Sequence, residues 1–216
     1  MTEGELRQAV VDTVRRMNAL GINQGTSGNA SVRFKDGMLI TPSGMPYEAM
    51  TGSDIVWVRL RDGSVQAKAG LKPSSEWRFH RDILEARQDL SAVVHTHGRA
   101  ATTLACLHQD IPAFHYMVAV AGGDSIRCAP YALFGTQALS DLALTALAGR
   151  KACLLGNHGL IACDASLDKA LALAVEVETL ADIYWRTLQV TRPAILSKAQ
   201  MAEVLDKFKT YGVPQR

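Results

Sequence analysis

The chain has 216 residues, of which 48% are hydrophobic and 20% charged, with a net charge of +2. That length and balance fit one well-filled globular domain, and near-neutral charge with no basic run argues against nucleic acid as a partner. No apolar stretch approaches the roughly 20 residues that a membrane span requires. Met1-Thr2-Glu3-Gly4-Glu5 is acidic, with no apolar run behind a basic patch, so no signal peptide is expected and the expected location is cytoplasmic.

From Glu5 to Leu20, Leu6, Val10, Val14 and Met17 recur at helical spacing, and Gly21 ends the run. Asn23-Gln24-Gly25-Thr26-Ser27-Gly28-Asn29 is small and polar. An alternating strand follows, Ala30 to Phe34, then a turn at Lys35-Asp36-Gly37 and a returning strand, Met38 to Thr41. Pro42-Ser43-Gly44 is a second polar turn. Ile55 to Leu60 and Ser64 to Ala67 pair across Arg61-Asp62-Gly63. Lys72-Pro73-Ser74-Ser75-Glu76 opens a helix to about Arg87, with a serine cap and an acidic first turn as its start signals.

Val93-Val94-His95-Thr96 is β-compatible, and a helix follows from Arg99 to about His108. Ile111 to Val120 reads as strand plus connection, Gly135 to Leu147 as helix. Lys151 to Leu155 and Gly159 to Cys163 are short strands flanking Gly156-Asn157-His158. Ala165 to about Val190 is a long alanine-rich helix broken by Arg192-Pro193, and Lys198 to Lys209 is the last. Neither repeats nor linkers interrupt this order, so an α/β fold is expected: a single domain, 1–216, with a central, mostly antiparallel sheet among helices. Cys106, Cys128, Cys153 and Cys163 form no CxxC pair, and buried reduced thiols are expected.

Chemistry concentrates on the histidines. His95 and His97 are spaced i, i+2, so a strand turns both imidazoles to one face. Imidazole is the commonest side-chain metal ligand, but His-x-His alone is a weak signal. His158, between Gly156-Asn157 and Gly159, completes a set of three, the usual number of protein ligands at an open catalytic zinc. Glu76 is open to two readings, a helix-dipole partner or a fourth ligand or base. His80 reads as a packing or hydrogen-bonding residue, and His108 and His115 as structural. Three polar turns, Ser27-Gly28-Asn29, Ser43-Gly44 and Ser74-Ser75, present N–H groups and short polar side chains that suit an anion; ordinary turns and a cap are the alternative.

Asn23 to Asn29, Ile40-Thr41-Pro42-Ser43-Gly44, Lys72 to Glu76, His95-Thr96-His97 and Asn157-His158-Gly159-Leu160 resemble, in order, motifs of the class II aldolase/adducin family. The likeness runs nearly end to end, through Ile111-Pro112-Ala113-Phe114-His115-Tyr116-Met117 and Phe208-Lys209-Thr210-Tyr211-Gly212. It implies a sheet sandwiched between helix layers and a homotetramer with active sites at subunit interfaces. It also implies Zn2+, or another divalent metal, on His95, His97, His158 and Glu76. The substrate phosphate would lie on Gly28, Asn29, Ser43, Gly44, Ser74 and Ser75. Tyr116 and Tyr211 would enter from a neighbouring subunit, and Thr26, Phe134 and Phe208 would shape the site.

The implied reaction is reversible cleavage of a ketose 1-phosphate to dihydroxyacetone phosphate and a short aldehyde through a metal-stabilised enediolate. Glu76 is the implied C3 base and Tyr116 the acid. The family's sister activities are pentulose-phosphate 4-epimerisation and sugar-acid phosphate decarboxylation, and adducin-like members are non-catalytic interaction domains. The family's epimerases usually carry Asp where this chain has Glu76, which favours the aldolase. The chain departs from the similar aldolases around Gly98-Arg99 and Gly156-Asn157, positions expected to approach the aldehyde end.

Overall fold

The computed structural model describes residues 1–210. Tyr211, expected in the site, lies outside the described residues. Helix α1 (Glu3–Ala19) starts at a Thr2–Glu5 capping box and buries Leu6, Val10, Val14 and Met17, the predicted stripe. Strands β1 (Asn29–Phe34) and β2 (Gly37–Ile40) form the predicted hairpin, and β3 (Val56–Arg59) and β4 (Val65–Gln66) extend it to a sheet edge. Then follow α2 (Trp77–Ala86), β5 (Ala92–Thr96), α3 (Arg99–Cys106), β6 (Arg127–Ala129), α4 (Gln137–Ala146), β7 (Ala152–Leu155), β8 (Gly159–Asp164), α5 (Leu167–Val190) and α6 (Lys198–Phe208).

Among the described residues the strands form one eight-stranded sheet, ordered β4-β3-β2-β1-β5-β8-β7-β6. Every pairing is antiparallel except β6 with β7. Side-chain alternation sends Ala92 and Val94 of β5 into a core with α1, α3, α5 and α6, and Val93 into a second core with α2 and α4. This is the expected sheet between helix layers. His95 follows the same alternation onto the α2 side, where its ring meets Phe79 edge-on at 5.5 Å. At the centre of the sheet β5 pairs with β1 and β8, Asn29 facing His95 and Leu160 facing Thr96.

Three expectations need correction. Ile111 to Val120 forms no strand: Ile111 makes one isolated bridge to Ile126, and Tyr116–Ala121 is a 3-10 turn. The strand in this region is β6, whose three residues are too few to display a period of two. The Ser74-Ser75 cap is also absent. Helix α2 begins at Trp77 with Glu76 in the cap position, and the Glu76 carboxylate makes no capping bond because it faces the histidines instead. Of the cysteines, Cys153 and Cys163 are buried, but Cys128 is half-buried and Cys106 exposed.

Candidate metal centre and substrate cavity

Three strand ends deliver the imidazoles. His95 is the penultimate residue of β5, His97 lies just beyond that strand, and His158 sits in the tight β7–β8 connection. Their candidate ligand atoms all fall within 4.8 Å of one another. His95 Nε2 is 2.9 Å from His97 Nε2 and 3.3 Å from Glu76 Oε2, while His158 Nε2 is 3.2 Å from Glu76 Oε1. The structure therefore brings the three histidines and Glu76 together.

Proton bookkeeping shows what the cluster lacks. His95 Nδ1 lies 2.9 Å from the Leu160 carbonyl, which accepts its proton, so the Nε2 lone pair is turned toward the Glu76 carboxylate. Two electron-rich atoms thus face each other in a buried place. Glu76 Oε1 is buried with no hydrogen-bond partner, and His158 Nε2 lies 3.2 Å from it. A divalent cation satisfies both deficits, and three imidazoles with one carboxylate suit zinc. The residues present fit such an ion.

Electrostatics points the same way. Burial pushes His95 down to about 3 and His97 down to about 4, so both are neutral, ligand-ready imidazoles at pH 7. Burial alone would raise the Glu76 carboxyl, but the His95 and His158 rings and the Asn29 amide hold it below the usual carboxylate range. Asn29 Nδ2 donates to Glu76 Oε2 at 2.9 Å, and its Oδ1 meets His80 Nε2. His80 Nδ1 in turn lies 2.8 Å from Ser31 Oγ. His80 thus has the hydrogen-bonding role expected of it, completing a chain from β1 to the carboxylate. The part Asn29 plays in orienting Glu76 was not visible in the sequence, because it depends on β1 lying across from α2.

Burial also pushes His80 down to about 3. Below the ordinary value of 6.5, an unfolded chain takes up protons that these folded imidazoles refuse. The stabilisation is complete above about pH 6.5 and is lost as pH falls toward about 3. Thermal melts of metal-free protein should show Tm falling across that range; a flat profile would contradict the buried neutral assignment.

The cluster floors a cavity of about 400 Å³ lined by Ser27, Ser75, Glu76, His97, His158 and a wall of Tyr131, Ala132, Phe134 and Asn157. Two of the three polar turns are stitched together. Ser43 N donates to the Lys72 carbonyl at 3.0 Å, Ser74 N to the Thr41 carbonyl at 2.9 Å, and Pro42 bridges Pro73. The third turn contributes Ser27 to the lining. Gly28 is required there: a Cβ would lie 2.5 Å from the His95 carbonyl. Ser43, Gly44 and Ser75 are exposed, and Gly28, Asn29 and Ser74 buried.

Phe134 lines the cavity; Thr26, Tyr116 and Phe208 are not among its lining residues. Tyr116 is half exposed and packs 6.4 Å from the Phe208 ring. Arg99 lines a separate cleft with Glu178. Glu178 caps α3 through Ala100 N and Ala101 N and occupies the space beside Gly98, so the Gly98-Arg99 departure answers to that contact. Asn157 does reach the cavity, held by His108, a residue whose isolated position gave no spacing signal. His115 caps the 3-10 turn, as a structural residue should.

Residues 8–185 match the model of the class II aldolase and adducin N-terminal domain. The chain is 53% identical over 214 residues to L-fuculose phosphate aldolase of Escherichia coli strain K12, covering 99% of this chain and 98% of that one. It is 55% identical over 207 residues to a 5-methylthioribulose-1-phosphate/5-deoxyribulose-1-phosphate aldolase of Rhodospirillum rubrum, covering 96% and 92%. Among solved structures, an L-fuculose 1-phosphate aldolase superposes with a TM-score of 0.92 at 37% identity, covering 97% of this chain and 98% of that one.

Proposed function

The chain belongs to the class II aldolase/adducin family and is a class II aldolase, and from that premise we propose that it reversibly cleaves a ketose 1-phosphate resembling L-fuculose 1-phosphate. The products are dihydroxyacetone phosphate and a short aldehyde such as lactaldehyde. The observation that carries this reading is the convergence of three imidazoles and the Glu76 carboxylate at the floor of a cavity bordered by polar turns.

His95, His97 and His158 would hold Zn2+, with Glu76 as the further ligand. When bound, that ion would supply Lewis acidity for the negative charge that develops on the ketone side. Gly28, Asn29, Ser43, Gly44, Ser74 and Ser75 hold the phosphate through neutral donors, with Asn29 also tied to Glu76. In cleavage Tyr116, entering from the neighbouring subunit of a homotetramer, takes the C4 hydroxyl proton. C4 becomes the aldehyde carbon and the bonding pair passes to C3. Glu76 then returns a proton to C3, and in synthesis it removes that proton. It must first leave its resting position, because a carboxylate held on a cation is a poor base. Tyr211 joins Tyr116, while Thr26, Phe134 and Phe208 shape the pocket.

A 5-deoxypentulose 1-phosphate, or its 5-methylthio analogue, is the second reading. The Rhodospirillum rubrum relative and the apolar wall of Tyr131, Ala132 and Phe134 favour it. A coupled assay for triose phosphate over both substrates separates the two. Failure to release triose phosphate from any ketose 1-phosphate would return the epimerase and decarboxylase activities, or an adducin-like binding role, to the front. Tyr116→Phe should slow carbon–carbon bond formation about a hundredfold while reducing C3 proton exchange far less; equal losses in both would argue against the acid role.

A further inference from the structure

Among the described residues only three non-glycine residues have left-handed backbone, and two of them are partners: His108 at φ +52 and Asn157 at φ +53. Asn and His tolerate that conformation better than most side chains, and surrounding bonds fix it in place. Here the surroundings are specific. Asn157 N donates to the Ala105 carbonyl at 3.0 Å, Gly156 N to the Ala129 carbonyl at 2.8 Å, and His108 N to the Ala105 carbonyl at 3.0 Å. A Cβ on Gly156 would sit 2.9 Å from both His108 Cε1 and the Ala129 carbonyl. The missing side chain at 156 therefore admits the His108 ring, whose Nε2 lies 2.5 Å from Asn157 Oδ1.

The result is a fixed amide in the cavity wall, next in sequence to His158 and sharing the lining with Tyr131, Ala132 and Phe134. One end of the amide is taken by His108. The other has no protein hydrogen-bond partner among the described residues. As assigned, that end is an NH2 donor; turned over, it would be a carbonyl acceptor. A hydroxyl group satisfies either, and a methyl group neither.

We propose that Asn157, positioned by His108, is the specificity-determining residue for the aldehyde half of the substrate and selects a 2-hydroxyaldehyde over one without that hydroxyl. The inference rests on the aldolase reading and deepens it. Cleavage of L-fuculose 1-phosphate between C3 and C4 yields lactaldehyde, whose hydroxyl lies next to the carbonyl carbon. The same cleavage of 5-deoxyribulose 1-phosphate yields acetaldehyde, which has none. The amide thus favours the first product set against the apolar wall that would accept the second.

The test is condensation of dihydroxyacetone phosphate with lactaldehyde and with acetaldehyde, reading the ratio of kcat/KM for the two. Asn157→Gly is the variant of choice because glycine takes the left-handed backbone without strain. His108→Gly serves the same purpose at the positioning residue, and C3 proton exchange is measured alongside. The unmodified protein should prefer lactaldehyde. The ratio should fall about tenfold in Asn157→Gly, the worth of one hydrogen bond to substrate, and severalfold in His108→Gly. A preference for acetaldehyde in the unmodified protein, or a ratio unchanged by Asn157→Gly, overturns the inference while leaving the aldolase reading intact. Absence of both condensation and C3 exchange in the unmodified protein overturns the aldolase reading, and this inference with it.

Discussion

Glu76→Gln should abolish exchange of the C3 proton of dihydroxyacetone phosphate with solvent while largely sparing its binding. General-base catalysis contributes a factor on the order of 10² to 10⁴, and the amide cannot accept the proton at all, so a loss of about a thousandfold or more is expected. The carboxylate is well placed for the role. It is buried, yet kept ionised by the Asn29 amide and the neighbouring imidazoles. Its backbone leaves the cap of α2 free of any capping bond, so the side chain has no competing duty in the helix. The polar turns at residues 43–44 and 74–75 are held by backbone bonds that the substitution does not touch. Exchange measured by proton loss from labelled substrate, with binding by calorimetry, gives both numbers. Exchange within tenfold of the unmodified protein would remove Glu76 from the role of base.

The second large effect separates the ligand role of the histidines from their place in the core. His97→Ala should lose the ion and with it turnover, while the metal-free protein keeps most of its stability, because this ring is only half-buried. His95→Ala should lose the ion too, but at a structural cost. Its ring is fully buried, bonded to the Leu160 carbonyl and packed on Phe79. Emptying such a position costs about 3 kcal/mol. Metal content after dialysis and melting of the metal-free variants distinguish the two. Retention of the ion by both variants would mean that it binds elsewhere.

The sequence carried the helices and the central strands well because their periods were long and regular. The α1 stripe of Leu6, Val10, Val14 and Met17 and the β1–β2 hairpin needed only local spacing to be read. His95 and His97 were legible because extended backbone puts i and i+2 on one face, although β5 itself ends at Thr96. β6 was not legible, since three residues beside Pro130 carry no period. The start of α2 was misread for another reason. Ser74 and Ser75 have cap chemistry, but Glu76 turns toward histidines brought there by β5 and the β7–β8 connection at the centre of the sheet. The same holds for Asn29 and for the His108–Asn157 pair. Their partners are 51 and 49 residues away, and only the assembled sheet makes them neighbours.

Metal analysis of the purified protein before and after chelation bears most directly on all of this. A single divalent ion per chain should be present, held by His95, His97, His158 and Glu76. Chelation should remove it and stop turnover, adding back Zn2+ should restore both, and His97→Ala should not recover. Undiminished triose phosphate release from chelated, metal-free protein would contradict the account.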